Sequence, residues 1–473
     1  MNHYISKPSY DKHPDRMCLI ARLFGVHATL LNDGARVLEI GCGTGSDLIP
    51  VALGSPQCEF VGVDSSEEMI NSANATVTHL GLTNVRFIRQ DIAQLPHSGN
   101  FDYIIVHGVL SWVKTDVQEN IFKFCGENLT DNGVCYISCN MLPGCEVRDF
   151  LREEFKKVIG SSSDKQQPAE LRKFLRGFID DKSERHLPFQ LARLRAEAQN
   201  MLTQSEEYLL YEMCSESKAF FFQDLARVAK SFGLKYLGDS KLKRVGFLDV
   251  LDFQDHIETG DEFVACCEQE ADLSRMEMFR ANLFCKNSTH IERKPDLSVI
   301  EKCYISTVLT YNEDNFGESF FFNPSGKRVE IKSPEVTQIL KVLAQNWPRP
   351  VHYEALKETH AEFFLNQKLT SDINSELFEL FKKEFLDFYL LTPQQSATMA
   401  VSPYARFQLQ TQNWATNYRH EYVNFTDDEI KVAKLLDGNN SLQDIFDKLD
   451  HAVRLDKIED IVLFLRESAF MLS

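Results

Sequence analysis

The chain has 473 residues, a formal net charge of −18 and 43% hydrophobic residues. Such a length suits about two to four domains, and the acidic balance opposes nucleic acid as a partner because a phosphate backbone is also negative. Residues 1–16 are polar, and the most apolar later run, residues 101–113, is too short to cross a bilayer, so we expect a cytoplasmic protein without a membrane span. The twelve cysteines contain no C-x-x-C pair, which favours reduced thiols and predicts no bound metal.

The first strong signal is an apolar strand that runs into alternating glycines at residues 37–45. Such a turn lets the backbone adopt positive φ and approach a ligand closely, as nucleotide sites require. The pattern reads Glu39-x-Gly41-Cys42-Gly43-x-Gly45. A dinucleotide fingerprint would need another glycine where Ser46 stands. An acid before the glycines repels phosphate and suits the ammonium and sulfonium of S-adenosylmethionine, so methyl transfer is favoured over hydride transfer.

The second, third and fourth expected strands each end in polar residues: Asp64, Asp91-Ile92 and His107. Asp64 stands at the distance where an α/β nucleotide site places the acid that binds the ribose hydroxyls. Because ligands of open parallel sheets bind along the carboxyl ends of the strands, we expect one pocket to collect Glu39, Asp64, Asp91 and His107. The alternative for each of them alone is a helix cap or a solvated loop residue.

Strands and helices alternate five times, which predicts a doubly wound sheet with right-handed crossovers. Two capping boxes, Ser65-x-x-Glu68 and Thr115-x-x-Gln118, predict where helices begin. Later strands at 234–237 and 279–286 are expected to complete a seven-stranded sheet. A long charged helical stretch, 147–217, interrupts the alternation, and it is interpreted as a lid, a dimer surface or a packing layer.

The sequence of the last third of the chain predicts a small domain that contains both helices and strands. A helix from Ser333-Pro334, a helix over 372–383 and a strand over 386–391 suggest a winged-helix-like fold, serving either recognition or scaffolding. Thr426-x-x-Glu429 and Ser441-x-x-Asp444 are expected to open two packing helices.

Several short patterns resemble the methyltransferase regulatory domain family of class I S-adenosylmethionine-dependent methyltransferases. They are Tyr4-x-Ser6, His13-Pro14-Asp15-Arg16, Glu39-x-Gly41-Cys42-Gly43, His107-Gly108-Val109-x-Ser111-Trp112-Val113, Asn140-x-x-Pro143-Gly144, Tyr208-Leu209-Leu210, Phe279-Arg280-x-x-Leu283-x-Cys285 and Asn417-x-Arg419-His420-x-x-Val423. That family includes bacterial protein-lysine methyltransferases that act on outer-membrane protein. The resemblance therefore implies a protein substrate methylated on lysine, and a homodimer. Cys139 and Cys145 depart from it, since members usually carry tyrosine and tryptophan there.

The fold class expected from these signals is a Rossmann-like seven-stranded methyltransferase sheet with a helical insertion and a winged-helix-like C-terminal domain. The expected domains are a methyltransferase domain over 1–146, the insertion over 147–217, a regulatory region completing the sheet over 218–298, and the C-terminal domain over 299–473. The residues expected to bind S-adenosylmethionine are Glu39, Gly41, Cys42, Gly43, Gly45, Asp64, Ser65, Met69, Asp91, Ile92 and His107.

Three residues are expected to serve catalysis. His107 is interpreted as a general base or as a wall of the cofactor pocket, while Tyr4 and Trp112 are expected to hold the ammonium or sulfonium. Their alternatives are a lid for Tyr4 and a core anchor for Trp112. The alternative functions are a small-molecule methyltransferase and a non-catalytic binding protein.

Overall fold

A seven-stranded sheet forms the centre of the N-terminal 290 residues, with strand order β3-β2-β1-β4-β5-β7-β6. The computed structural model describes residues 7–94, 99–159, 167–180, 188–251, 260–313, 319–392 and 399–471. The strands are β1 Arg36–Ile40, β2 Glu59–Asp64, β3 Val85–Arg89, β4 Phe101–Val106, β5 Leu129–Asn140, β6 Leu234–Asp239 and β7 Phe279–Lys286. The first five pair in parallel, and β7 is antiparallel to β5 and β6. The predicted sheet is confirmed, including its two late strands.

The central strands β1, β2 and β4 are buried along nearly their whole length, as strands covered by helices on both faces must be, while the edge strand β3 alternates between buried and exposed residues. Four helices belong to this first part: α1 Pro14–Leu23, α2 Leu48–Gly54, α3 Glu67–Leu80 and α4 Thr115–Asn128. The strand order places the carboxyl ends of β1 to β5 side by side at one edge of the sheet. That edge holds the residues that follow each strand.

The start of α3 corrects one predicted cap. The N-cap is Ser66 rather than Ser65, and its hydroxyl accepts a hydrogen bond from the Met69 N–H at 3.3 Å. The backbone N–H of Ser66 itself donates to the Asp64 carboxylate at 2.9 Å. This turn moves the cap one residue along the chain, so the predicted Ser65-x-x-Glu68 box is wrong.

The predicted Thr115-x-x-Gln118 box is also wrong. The N-cap of α4 is Lys114, and its side chain makes no cap hydrogen bond. Gln118 is buried, and its amide donates to the carbonyls of Leu110 and Val113 at 3.0 Å each. Its amide therefore ties the helix to the preceding loop instead of capping the helix.

The insertion consists of four helices, α5 Glu146–Ile159, α6 Gln167–Asp180, α7 Pro188–Leu202 and α8 Glu206–Cys214. They pack around a hydrophobic core of their own, which includes Leu151, Phe155 and Leu209. Arg148 of α5 ties the bundle together, since it pairs with Glu197 at 2.7 Å and with Glu212 at 3.0 Å. Three further helices accompany the late strands: α9 Phe222–Ser231, α10 Gly246–Leu251 and α11 Asp261–Arg275.

The C-terminal part contains two packing units. The first holds β8 Tyr304–Thr307, β9 Thr310–Glu313, β10 Ser319–Phe322, β11 Arg328–Val329, α12 Pro334–Asn346, β12 Val351–His352, α13 Tyr353–Thr359, α14 Gln367–Lys382 and β13 Leu386–Tyr389. Its core is continuous with that of the large sheet. Helix α14 begins earlier than predicted because Asn366 caps it, accepting from the Leu369 N–H at 2.9 Å.

The second unit has a separate core over residues 401–471. It holds α15 Pro403–Gln408, β14 Trp414–Thr416, β15 Tyr422–Asn424, α16 Asp427–Leu435, α17 Leu442–Lys448 and α18 Leu455–Glu467. Both predicted capping boxes are confirmed here, with Thr426 and Ser441 as the N-caps. In the part of the chain that the structure describes, no helix has the length and apolar character needed to cross a membrane.

Candidate active site

The glycine turn links β1 to α2 at the carboxyl edge of the sheet. Gly41, Gly43 and Gly45 all have positive φ, at 76°, 52° and 73°. A Cβ on Gly41 would lie 2.5 Å from a methyl of Val109, and one on Gly45 would lie 2.3 Å from the ring of Phe87. These two positions exclude a side chain because protein atoms already fill the space beside them. The turn is thus held close to β3 and to the loop after β4.

Glu39 lies on β1 just before the turn and is only 2% exposed. Its Oε2 is buried and has no hydrogen-bond partner among the described residues. Burial and the neighbouring Asp47 carboxylate raise the pKa of Glu39 well above its ordinary value, while the Lys12 ammonium opposes them. A buried carboxylate without a donor is unfavourable, and a ligand ammonium would relieve that cost. Glu39 therefore fits the amino group of S-adenosylmethionine. Cys42, within the glycine turn, is fully buried, and burial raises the pKa of its thiol well above the usual range.

Asp64 ends β2 and is bonded to the glycine turn. Its two carboxylate oxygens accept hydrogen bonds from the backbone N–H of Gly43 and of Ser66, at 2.9 Å each. A carboxylate oxygen has two lone pairs, so each oxygen retains one for a ribose hydroxyl. Asp91 follows β3 and is exposed, with one oxygen accepting from the Ala93 N–H at 2.9 Å. Asp64 thus bonds the glycine turn and still has one lone pair on each carboxylate oxygen to accept from a ligand.

Three further predicted contacts lie at the same strand ends. Ser65 follows Asp64 and is exposed, Met69 lies half-buried in the first turn of α3, and Ile92 begins a 3-10 helix after β3. The fold therefore places all of the predicted cofactor residues along the carboxyl ends of β1 to β4.

His107 follows β4 and is hydrogen-bonded through Nδ1. Its Nδ1 lies 3.1 Å from the Tyr136 hydroxyl and 3.1 Å from the Ser138 hydroxyl. The Ser138 oxygen also accepts from the Gly108 N–H at 3.0 Å, so one hydroxyl connects the ring to the backbone after β4. Burial, reinforced by the Lys12 ammonium, lowers the pKa of His107 to about 3. A neutral imidazole with so low a pKa fits a pocket wall better than a general base.

Trp112 connects the sheet edge to the insertion. It ends a 3-10 helix after β4 and contacts Tyr211 of α8, with ring centroids 4.5 Å apart. This contact favours the anchoring role for Trp112. Tyr4 lies outside the described residues.

The two cysteines at which the chain departs from the family patterns are each 2% exposed. Cys139 on β5 lies 3.7 Å from the side-chain amide of Asn282, and the Cys145 thiol donates to the Met278 carbonyl at 3.0 Å. Both therefore contact β7 or the residue just before it. Burial raises the pKa of both thiols, so both are protonated at neutral pH.

Sequence reasoning missed a buried polar cluster behind the glycine turn. Asp47, at the start of α2, is 2% exposed, and its Oδ2 lies 2.6 Å from the Lys12 ammonium. Its Oδ1 lies 3.1 Å from His420 Nε2 and 3.3 Å from the Ser9 N–H. Lys12 stands beside one family-like pattern and His420 lies within another, which was the available signal. No spacing rule links either of them to Asp47.

A cavity of about 510 Å³ lies between α2, the N-terminal segment and the C-terminal units. Tyr10, Asp15, Tyr389 and Tyr404 line it, together with His420. None of the predicted cofactor residues does, so this cavity is separate from the strand ends. Within the described ranges, no group of three or more His, Cys, Asp and Glu side chains is arranged to hold a metal ion.

Two family models match the chain. One described as a methyltransferase domain matches residues 31–204, and one described as the PKMT C-terminal winged helix domain matches residues 400–459. The second match falls after the stretch over 333–391 whose pattern suggested a winged helix. The match lies within the winged-helix-like C-terminal domain expected over 299–473, and the two helices expected only to pack belong to the matched part.

Relatives cover most of the chain. It is 28% identical over 471 residues to the uncharacterized protein RP789 of Rickettsia prowazekii (strain Madrid E), covering 94% of this chain and 84% of that protein. It is 34% identical over 224 residues to RP028 of the same organism, covering 46% of this chain and 88% of that protein.

A solved structure, PKMT2 from Rickettsia typhi, matches with a TM-score of 0.86 at 22% identity, covering 100% of both chains. The same protein in complex with AdoHcy matches with a TM-score of 0.85 at 23% identity, again covering 100% of both chains. At these identities the likeness shows a shared fold from end to end. The 34% identity to RP028, of which this chain covers 88%, shows that the chain belongs to the family of RP028. With its matched methyltransferase domain and PKMT C-terminal winged helix domain, the chain is a class I methyltransferase whose methyl donor is S-adenosylmethionine.

Proposed function

We propose that this methyltransferase transfers methyl groups to lysine side chains of a protein substrate in the cytoplasm. The observation that carries the proposal is the winged helix domain over 400–459, since its model describes the C-terminal domain of PKMT proteins, that is, protein-lysine methyltransferases. The end-to-end likeness to PKMT2 supports it. A small-molecule methyltransferase remains the alternative, and the two differ in the size of the acceptor.

Different residues of the chain are expected to bind different groups of the cofactor. S-adenosylmethionine supplies a methyl group made electrophilic by the sulfonium to which it is bonded. The buried Glu39 carboxylate would bind the cofactor's ammonium and Asp64 would accept from the ribose hydroxyls, while the Gly43 N–H holds Asp64 in place. His107 remains neutral at physiological pH and so would add no positive charge to the site that binds the cationic cofactor. These residues position the reactants for in-line displacement, in which orientation supplies much of the rate.

The acceptor amine must be neutral before it attacks. A free lysine has a pKa near 10.4, so deprotonation at pH 7 costs roughly 4 to 5 kcal/mol. With a pKa of about 3, His107 is a weak acceptor for that proton. We therefore expect the proton to leave to water before transfer, favoured by desolvation of the amine near the cationic cofactor. The neutral amine nitrogen would then bond to the methyl carbon as the carbon–sulfur bond breaks, with its electron pair left on sulfur.

The test is incubation of a lysate with isotopically labelled S-adenosylmethionine, followed by peptide mass spectrometry. The proposal expects label on lysine side chains, dependent on the unmodified protein and absent with Gly43→Val. That variant places a β-branched side chain at φ 52° in the turn. Label found only in low-molecular-mass products would instead establish the small-molecule alternative.

We also propose a homodimer formed through the helical insertion. Two large apolar side chains on α5 are solvent-exposed, Phe150 at 44% and Val158 at 61%. Light scattering at micromolar concentration should give twice the mass of one chain. The double variant Phe150→Lys with Val158→Lys should give the mass of a single chain. Leu365→Lys, at a 77% exposed apolar residue outside the insertion, is the matched control and should leave the dimer intact. A single-chain mass for the unmodified protein would contradict the proposal.

A further inference from the structure

The Asp47 cluster joins three segments that are far apart in sequence. Lys12 comes from the N-terminal segment, Asp47 from the end of the glycine turn and His420 from the domain matched over 400–459. All three side chains are buried, with relative exposures of 2%, 2% and 5%. Through His420, the domain over 400–459 contacts Asp47, which lies in the same part of the chain as the predicted cofactor residues.

The carboxylate of Asp47 depends on both of its side-chain partners. Its pKa is lowered well below the ordinary value because the Lys12 ammonium and the His420 hydrogen bond together outweigh burial. A buried carboxylate that loses one partner must move toward water or toward another donor. Any such movement acts directly on the turn, because Asp47 lies between Gly45 and α2.

Asp47 is also coupled to the atoms that are expected to hold the cofactor. The Ile49 N–H donates to the Gly45 carbonyl at 3.0 Å, so the last glycine of the turn and the first residues of α2 form one unit around Asp47. The charges of Asp47 and Lys12 act on Glu39 in opposite directions. A shift of Asp47 would therefore change both the shape of the turn and the field at Glu39.

The loop that carries His420 is held firmly. Asn417 Oδ1 accepts from the N–H groups of Arg419 and Glu421 at 2.9 Å each, and Arg419 pairs with Asp387 at 2.6 Å. His420 itself has φ 60°, a conformation that histidine and asparagine adopt more readily than most residues. The imidazole is thus presented to Asp47 by a preorganised turn that is tied to β13.

We propose that His420 is a positioning residue for the cofactor site, through which docking of the C-terminal winged helix domain sets the affinity of the glycine turn for S-adenosylmethionine. The proposal uses the cofactor assignment and does not depend on whether the acceptor is a lysine. It gives this domain a second role besides any contact with substrate: residues 400–459 complete the support of the cofactor site.

The experiment compares two histidines of the same domain in the full-length chain. His420→Asn removes the hydrogen bond to Asp47 and keeps a residue that tolerates φ 60°. His451→Asn makes the same change at an exposed histidine that also has φ 60°. Calorimetry with S-adenosylhomocysteine should show affinity weakened roughly tenfold by His420→Asn, because a hydrogen bond to a charged group is lost. His451→Asn should bind like the unmodified protein.

A third variant separates positioning from mere folding. In His420→Gln the side-chain amide reaches Asp47 in place of Nε2, so most of the affinity should return. Equal weakening in His420→Asn and His420→Gln, in step with equally lowered thermal midpoints, would indicate a structural role only. Unchanged affinity in His420→Asn would overturn the proposal outright.

His420→Asn could be unfolded at the assay temperature, and then the affinity of His420→Gln decides. An affinity near that of the unmodified protein supports the proposal, and a tenfold loss overturns it. No binding by the unmodified protein would instead remove the cofactor assignment.

Discussion

Two buried charge clusters on the same sheet differ in how their carboxylates are paired. At β7, Arg280 is 0% exposed and bonds Glu268 at 2.5 Å, Asp272 at 2.8 Å and the Tyr236 hydroxyl at 3.2 Å. At β1, Glu39 is nearly as buried, yet its Oε2 has no partner among the described residues. Asp272 Oδ2 also has no hydrogen-bond partner among the described residues, but Asp272 bonds the Arg280 guanidinium through Oδ1 and Glu268 bonds it through Oε2. Glu39 instead lies beside a turn that is shaped for a ligand.

The largest expected effect comes from removing the cation of the paired cluster. Arg280→Met leaves Glu268 and Asp272 buried without their partner, and breaking a buried pair in this way costs roughly 3 to 5 kcal/mol. Urea unfolding should report that loss of stability. The matched control is Arg227→Met, since Arg227 is 74% exposed in its pair with Asp224 and such pairs contribute about 0 to 1 kcal/mol. Similar losses in the two variants would mean that burial does not distinguish the clusters.

Glu39→Gln should leave the free energy of unfolding unchanged or higher but weaken the binding of the cofactor. A hydrogen bond to a charged group contributes roughly 1.5 to 3 kcal/mol, so cofactor affinity measured by calorimetry should fall about tenfold to a hundredfold. Because the folded pKa of Glu39 lies above its unfolded value, its contribution to stability is present at low pH and is lost as pH rises. The variant should therefore be at least as stable as the unmodified protein at neutral pH. A large loss of stability there would place Glu39 in the same class as the Arg280 cluster.

Asp64 lies between the two extremes, because it is half-buried and already bonded to the Gly43 and Ser66 N–H groups. Asp64→Ala should weaken cofactor affinity by about tenfold, which corresponds to 1.4 kcal/mol. Asp64→Asn keeps one acceptor oxygen and should lose less. If both variants bound the cofactor normally, the ribose assignment would be wrong, although the glycine turn would still be a ligand site.

The parts of the site that follow strand order were predictable. Glu39, Asp64, Asp91 and His107 each come directly after, or near the end of, an apolar run, and parallel strands bring those ends together. The Asp47 and His420 pair was not predictable, because its members are 373 residues apart and no local pattern records the contact. A winged helix domain was predictable for the C-terminal part, but the pattern that suggested it lies over 333–391 while the family model matches 400–459, so a short element order does not fix which residues form the domain.

The smallest expected effect concerns Ser66, where a substitution should change stability but not cofactor affinity. Ser66 is polar and adjoins Asp64, yet its side chain serves only the helix, because it accepts from the Met69 N–H. Loss of an N-cap hydroxyl costs about 1 kcal/mol, so Ser66→Ala should lower the urea midpoint modestly. Its backbone N–H still bonds Asp64, so cofactor affinity should not change. The neighbouring Ser65→Ala is the control, since Ser65 is exposed and surface substitutions usually change stability by less than about 0.5 kcal/mol. A greater loss in Ser65→Ala than in Ser66→Ala would restore the cap that the sequence pattern predicted, and with it a different start for α3 beside the ribose acid.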